Sequence, residues 1–563
     1  MESREPFLKF VIYIPLLISE CLFNLYIMKK SMICKAAATT LIGAGVVGCA
    51  QHKAEDAEPT KKPNIIFLLT DDQSDGTFSA MGHPVLKTPN LDNLLTQGVW
   101  FSNTYIATPI CAPSRVSFLT GMHERKHEVG FTNSYQLSEG QWEMSYPALL
   151  RDNGYYTGFV GKFGIEYYTF QAEEMFDFWY AHDGWAPFFP KDFNTPSSIP
   201  YHEAEEDIIT YIMGEGIESF LQSVNEDQPF SLSVSFSVPH ASVKQTMNAS
   251  PEGWGRGIHY RWTELLSPAN EDPRLKGHPF YDTLYRDGSV TLPEDFGTDP
   301  YQHIPRHILD HDHTRKSWLY KYNYHAETNY ENLVRYYQLI SGVDHIIGNM
   351  VRSLEEKGLS DNTVIIFTSD HGLINGEYGM GGKALLYDLA AKVPCVIYDP
   401  RIPENQRGRK VAELVSSLDI PSTILDYAGI VQPDVMDGQS LLPLVYDEET
   451  QWRDEIFLES LYTGQGNPFI EGIRTGNWKY IRFYVPEREG HTEADLQFEN
   501  RKPDFEQLFN LEQDPTEHNN LISVYEGTEL LEELRKKCAR LSADLNLERK
   551  TYMETNEVVL KDN

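Results

Sequence analysis

Several short apolar runs in this chain end on residues that can do chemistry. Asn64 to Leu69 runs into Asp71 and Asp72, Tyr155 to Val160 into Gly161 and Lys162, Phe230 to Phe236 into Pro239 and His240, and Thr363 to Thr368 into Ser369, Asp370, His371 and Gly372. A divalent cation needs several oxygen donors brought together, and acidic groups at the ends of separate segments supply them. Asp71, Asp72, Asp370 and His371 are therefore candidate metal ligands. Alone, Asp71-Asp72 could equally cap the following helix; the second group at 369–372 turns the reading toward metal. A mainly carboxylate set with one histidine tolerates several divalent ions and does not choose among them. A further group is Cys111-Ala112-Pro113-Ser114-Arg115. Pro113 fits the first turn of a helix, which puts Cys111 beside a helix N-terminus, where backbone N–H groups favour anions. Arg115, four residues on, falls on the same helix face. The usual fate of a free thiol is an ordinary buried position, and that reading suits Cys395 and Cys538.

The runs themselves indicate how these residues are held. Short apolar, β-branched segments suit strands buried on both faces, as in a mostly parallel sheet covered by helices. In such sheets ligands bind beyond the carboxyl ends of the strands, so four runs delivering Asp, Lys, His and Asp-His there converge on one site. The fold expected is α/β, with a large, mostly parallel (mixed) central sheet flanked by helices. Helices are expected at 89–97, at 113–119 and at 332–357, the last from apolar residues at helical spacing that include Leu333, Tyr336, Tyr337, Ile340, Val343, Ile347 and Leu354. Residues 245–330 break the rhythm and read as long loops over a site. After about residue 445 come alternating stretches at 478–483 and 508–511 and a charged helix at 529–545, a smaller C-terminal α+β subdomain. The expected organisation is a targeting segment at 1–48, a tether at 49–62, a catalytic domain at 63–445 containing the 245–330 insertion, and the subdomain at 446–563.

The 563 residues carry 48 Lys and Arg against 82 Asp and Glu, a formal net charge of −34. Such a surface disfavours nucleic acid and gives no long-range steering toward a polyanion. An anionic substrate would have to be held by local cations inside a pocket. The cysteines Cys21, Cys34, Cys49, Cys111, Cys395 and Cys538 imply neither a disulfide framework nor a zinc pairing. Lys29-Lys30, an apolar run and Val46-Val47-Gly48-Cys49 resemble a bacterial lipobox, with Met28 the expected true start and Cys49 lipidated; a single transmembrane anchor is the alternative. The expectation is an exported lipoprotein, periplasmic or at the outer membrane or cell surface, touching membrane only through its lipid anchor.

The stretch Cys111 to Arg115, continued by Val116-Ser117-Phe118-Leu119-Thr120-Gly121, resembles the signature of type I formylglycine-dependent sulfatases. These are arylsulfatase-like members of the alkaline phosphatase superfamily, and the likeness is to bacterial polysaccharide and glycosaminoglycan sulfatases. Thr88-Pro89-Asn90-Leu91-Asp92, Gly161-Lys162, Gly381-Gly382-Lys383, Val393-Pro394 and Leu508-Phe509-Asn510-Leu511 extend it. The resemblance implies an alkaline-phosphatase-like fold and hydrolysis of a sulfuric ester. It implies that a maturase oxidises Cys111 to formylglycine, and that calcium is held by Asp71, Asp72, residue 111, Asp370 and His371. It also implies that Arg115, Lys162 and Lys383 hold the sulfate and that His240, with Lys383, protonates the leaving oxygen. The substrate implied is a sulfated carbohydrate. Aromatic and cationic residues of the insertion suit one: Trp254, Arg256, His259, Tyr260, Arg261, Trp262, Arg306, His307 and Arg315, since aromatic rings stack on sugar faces. One departure stands out. The family continues Gly-Lys-aromatic-His, but here Gly161-Lys162-Phe163 meets Gly164, leaving His123 or His127 as stand-ins or a slowed release. A phosphonate or phosphate ester hydrolase of the same superfamily, and a non-catalytic glycan-binding lipoprotein, are the competing readings.

Overall fold

Asn64–Thr70 is buried along its whole length and forms strand β1 at the centre of an eight-stranded sheet. In the computed structural model the described residues are 61–555, apart from 132–135, 166–171, 183, 185, 193–198, 226, 248–278, 310–324, 465–466, 488–492 and 499–500. The lipobox at Cys49 and, in the insertion, Trp254, Arg256, His259, Tyr260, Arg261, Trp262 and Arg315 lie outside the described residues. The remaining strands of the sheet are β2 (Val99–Phe101), β3 (Tyr156–Lys162), β4 (Phe178–His182), β5 (Phe230–Ser235), β6 (Thr363–Ser369), β7 (Val396–Tyr398) and β8 (Arg409–Val411). Their order is β8-β2-β7-β6-β1-β5-β3-β4. Neighbours run parallel except β7, which is antiparallel to both β2 and β6. The mixed, mostly parallel sheet expected from the buried runs is the sheet observed.

Alternation along the strands divides the core into two layers. Ile65, Phe67 and Leu69 face one side with Val364 and Ile366, packed on helix α2 (Cys111–Thr120). Ile66, Leu68, Ile365, Phe367, Leu232 and Val234 face the other, with α1 (Pro89–Gln97), α4 (Ile209–Ser223) and α6 (Ala326–Glu356). Helix α6 begins six residues before the expected start. Its first turns lack the apolar repeat because they are held by amides: Asn329 Nδ2 donates to Asn375 O at 2.8 Å and Asn332 Nδ2 to Asn375 Oδ1 at 3.1 Å.

A second sheet, β9 (Glu455–Ser460), β10 (Phe469–Thr475), β11 (Trp478–Tyr484) and β12 (Phe505–Asn510), is an antiparallel meander. Helix α7 (Glu529–Thr555) covers it, burying Leu531, Leu534, Cys538 and Leu545 against Phe457, Ile473, Tyr480 and Leu508. It runs ten residues past the expected end, where charge replaces apolar spacing, as in the ion pair of Arg549 with Glu128. The four-residue helix α3 (Glu124–His127) is wholly buried and ties α2 to this layer. Arg125 donates from Nε to Glu459 Oε2 at 2.6 Å, and its NH2 nitrogen reaches Glu471 Oε1 at 2.5 Å. Among the described residues no helix is long and apolar enough to cross a membrane.

Candidate active site

Register makes the strand ends meet. Thr70 lies opposite Ser369 and Leu69 opposite Ser235, so β1, β5 and β6 finish level, and Lys162 ends β3 beside them. Gly161, at φ +105°, precedes Lys162; a Cβ there would collide with Met213 and the Ser235 carbonyl, so only glycine lets β3 end so close to β5. At the β1 end Asp71 N–H donates to Val238 O at 3.1 Å, and Asp72 turns through the left-handed region at φ +73°. His240 follows as the residue capping α5 (Ala241–Thr246). Lys383 comes from elsewhere, after the short 374–375/381–382 hairpin.

The Cys111 sulfur sits at the centre. It lies 2.9 Å from Lys383 Nζ, 3.3 Å from His371 Nε2 and 3.7 Å from Asp71 Oδ1. Lys162 Nζ pairs with Asp71 Oδ2 at 2.5 Å and Lys383 Nζ with Asp72 Oδ1 at 2.8 Å. Arg115 pairs with Asp370 Oδ2 at 2.8 Å, donates to Lys162 O at 3.1 Å, and hydrogen-bonds Ser235. In this arrangement its terminal nitrogens orient the acidic residues and Lys162. Ligand atoms of Asp71, Cys111, Asp370 and His371 all lie within 4.8 Å of one another, as do those of Asp71, Asp72, Cys111 and His240. Asp72 Oδ2 is buried and accepts no hydrogen bond. A buried carboxylate oxygen without a partner is costly, so the donor set fits a divalent cation that would engage it.

Burial and charge oppose each other here. Burial would raise the Asp71 carboxyl, but Lys162, His240, Arg115 and Lys383 hold it well below its ordinary range. Burial likewise pushes the Cys111 thiol up, and Lys162 and Lys383 more than reverse it, leaving it well below a normal thiol. Asp370, raised by burial and by Asp71, is pushed up to about 6. The structure thus gathers Asp71, Asp72, Cys111, Arg115, Lys162, His240, Asp370, His371 and Lys383 in one cluster. His123 and His127 sit elsewhere: His123 stands edge-on to Phe457, and His127 Nε2 is 3.2 Å from Ser117 Oγ.

The sulfatase family profile matches residues 63–430, and a profile described as N-sulphoglucosamine sulphohydrolase, C-terminal, matches residues 376–544. The chain belongs to the sulfatase family. It is a sulfuric ester hydrolase. The N-acetylglucosamine-6-O-sulfatase of Bacteroides thetaiotaomicron is 26% identical over 537 residues, covering 88% of this chain and 89% of that protein. Among solved structures, one in complex with its substrate D-glucosamine-2-N,6-O-disulfate has a TM-score of 0.60 at 21% identity, covering 89% of this chain and 100% of the other. The phosphonate monoester hydrolase of Agrobacterium radiobacter has a TM-score of 0.62 at 20% identity, covering 86% and 96%. These two likenesses establish the fold.

Two features of this sulfatase escaped the sequence reading. Tyr336, there counted only as part of an apolar stripe, is buried with its hydroxyl on the Asp72–Ser74 backbone. Lys244, on α5, is fully buried with its ammonium 5.0 Å from the Tyr336 ring, and burial brings it down to about 7. A tyrosine within an otherwise apolar helical stripe is the one available signal, because a buried Tyr hydroxyl needs a partner.

Proposed function

We propose that this sulfatase removes sulfate from a sulfated carbohydrate, an amino sugar in the first instance, using a formylglycine made from Cys111 and a calcium ion held by Asp71, Asp72, Asp370 and His371. The observation that carries the reading is the position of the Cys111 sulfur, in the signature stretch, at the meeting point of two lysines, a histidine and the carboxylates. The names of the Bacteroides relative and of the substrate in the glucosamine disulfate complex support the amino sugar. When present, the formylglycine supplies the nucleophilic oxygen and the cation Lewis acidity.

The chain's own residues do the rest. Lys162 and Lys383 put two ammonium groups beside residue 111, where positive charge binds a sulfate and stabilises charge that develops on its oxygens. Arg115 serves the same oxygens and orients Asp370 and Lys162. Ser242 N–H donates to His240 Nδ1 at 3.2 Å. That makes Nδ1 the acceptor and leaves Nε2–H to give its proton to the leaving oxygen, with Lys383 assisting. We further propose export as a lipoprotein anchored through Cys49.

Mass spectrometry of the Cys111 peptide, from a host with a working maturase, tests the reading. Conversion lowers the mass by about 18 Da. Thiol alone, despite an active maturase, would overturn it. The phosphonate hydrolase reading draws on the Agrobacterium likeness; faster turnover of a phosphonate monoester than of any sulfate ester would favour it.

A further inference from the structure

Among the exposed large hydrophobic residues of the described chain, Phe131 is the one aromatic, 53% exposed. An isolated exposed apolar side chain needs no explanation, but this one is braced. Its ring stands edge-on to Tyr462, centroids 5.6 Å apart and planes at 88°. Tyr462 is buried and packs with Ile110 and Ala384. Ile110 caps the helix that starts at Cys111, and Ala384 follows Lys383, its N–H donating to Pro109 O at 3.0 Å. The Tyr462 segment is tied to the same loop, because Glu459 N–H donates to Ala107 O at 2.8 Å. Phe131 therefore sits one side chain beyond the residues that flank the nucleophile position and its nearest cation, and about half of it is exposed.

We propose that Phe131, held by Tyr462, is the platform of a subsite for a sugar ring of the substrate, next to the ring that bears the scissile sulfate. This rests on the carbohydrate reading above. A pyranose offers a C–H face that an aromatic ring covers without charge, so a neutral platform near the buried lysine cluster divides the work. The lysines hold the sulfate, and the ring holds the sugar. Such a contact is worth about threefold to tenfold in affinity. Val431, Val524 and Leu547 are also exposed but offer no flat face.

The experiment compares the full, converted chain with Phe131→Ala and Phe131→Trp on a heparin-derived tetrasaccharide and on 4-nitrophenyl sulfate. Binding of the tetrasaccharide to unconverted wild type and Phe131→Ala is measured by calorimetry. Expected is a rise in KM for the tetrasaccharide about threefold to tenfold greater than any rise for 4-nitrophenyl sulfate. A matching loss of calorimetric affinity should accompany it in Phe131→Ala, and Phe131→Trp should keep the KM near that of wild type. Equal effects on the two substrates, or none, would overturn the subsite while leaving the carbohydrate reading in place. Failure of wild type to bind the tetrasaccharide or turn it over, with 4-nitrophenyl sulfate still cleaved, would overturn the amino-sugar reading and, with it, the subsite for such a chain.

Discussion

The Tyr336 hydroxyl donates to the Asp72 carbonyl oxygen at 2.8 Å and accepts from the Ser74 N–H at 2.9 Å, so one side chain on α6 clamps the turn that aims two carboxylates. Asp72 needs the clamp, since φ +73° is a conformation that a non-glycine residue adopts at a cost of about 1 kcal/mol. Tyr336→Phe keeps the ring and removes the clamp. Losing the hydroxyl leaves a buried carbonyl and N–H without partners, about 1–3 kcal/mol. Affinity for the proposed calcium ion, titrated by calorimetry on unconverted protein, should fall about tenfold while the far-UV spectrum is kept. An unchanged affinity would show that the turn holds itself.

What could be read from sequence and what could not divide along physical lines. Asp71, Lys162, His240 and Asp370 were legible because each follows a short apolar run that suits a buried strand, and strand ends in such a sheet lie together. Lys383 was legible only through the family's Gly-Gly-Lys pattern, because the hairpin that delivers it has two-residue strands and no apolar run. The strands β2, β7 and β8, grouped at one end of the sheet, are three residues each, too short to show a period. The role of Tyr336 was hidden because spacing reports a helix face, not where a hydroxyl points. The spacing that put Arg115 on the face of Cys111 could not say that its guanidinium would be engaged by Asp370 and the Lys162 carbonyl.

Gly164 explains why the family histidine is missing from this path of the backbone. It lies at φ +68°, and a Cβ there would stand 3.1 Å from Lys162 Cε and 3.2 Å from Arg115 Cδ. A side chain would be strained at the backbone and wedged between the two cations. Gly164→Ala should lower kcat/KM on 4-nitrophenyl sulfate about tenfold or more, about 1.4 kcal/mol or above, by displacing Lys162. Gly164→His should be no better. A gain in turnover on restoring histidine would mean that the loop can carry the imidazole after all.

Acid should unfold this protein through two buried neutral histidines. Burial, reinforced by His123, brings His127 down to about 3, and burial with Lys162 and Arg115 does the same for His182, also to about 3. Both folded values lie below the ordinary 6.5. The unfolded chain therefore binds more protons: the stabilisation is complete above about pH 6.5 and is lost as pH falls toward 3. Asp344, raised by burial to about 6, changes stability in the opposite sense between its ordinary value and 6, so the net slope alone is not diagnostic. The difference between wild type and His127→Gln is. Between pH 6 and 4 the wild type should lose about 1.4 kcal/mol per pH unit more than the variant, by urea unfolding. Parallel curves would mean that His127 is charged in the folded state.

The last prediction concerns the charged helix α3, whose residues are all buried. Arg125 meets Glu459 through both its backbone N–H, at 3.1 Å, and its Nε, at 2.6 Å, and it reaches Ser542 Oγ and Asn546 Oδ1 on α7 at 3.1 Å each. Glu471 keeps a second partner in Arg482, at 2.8 Å to Nε, whereas Glu459 depends more heavily on Arg125. Breaking a buried pair by deleting one member leaves an uncompensated charge and costs about 3–5 kcal/mol, more than the pair contributes over an apolar replacement. Arg125→Met should therefore destabilise the chain by about that amount and make α7 cleavable by trypsin under native conditions. Adding Glu459→Gln should recover a substantial part of the loss, because the stranded charge is gone. If the double variant is no more stable than the single, the lost bonds to Ser542 and Asn546, and not the buried carboxylate, account for the cost.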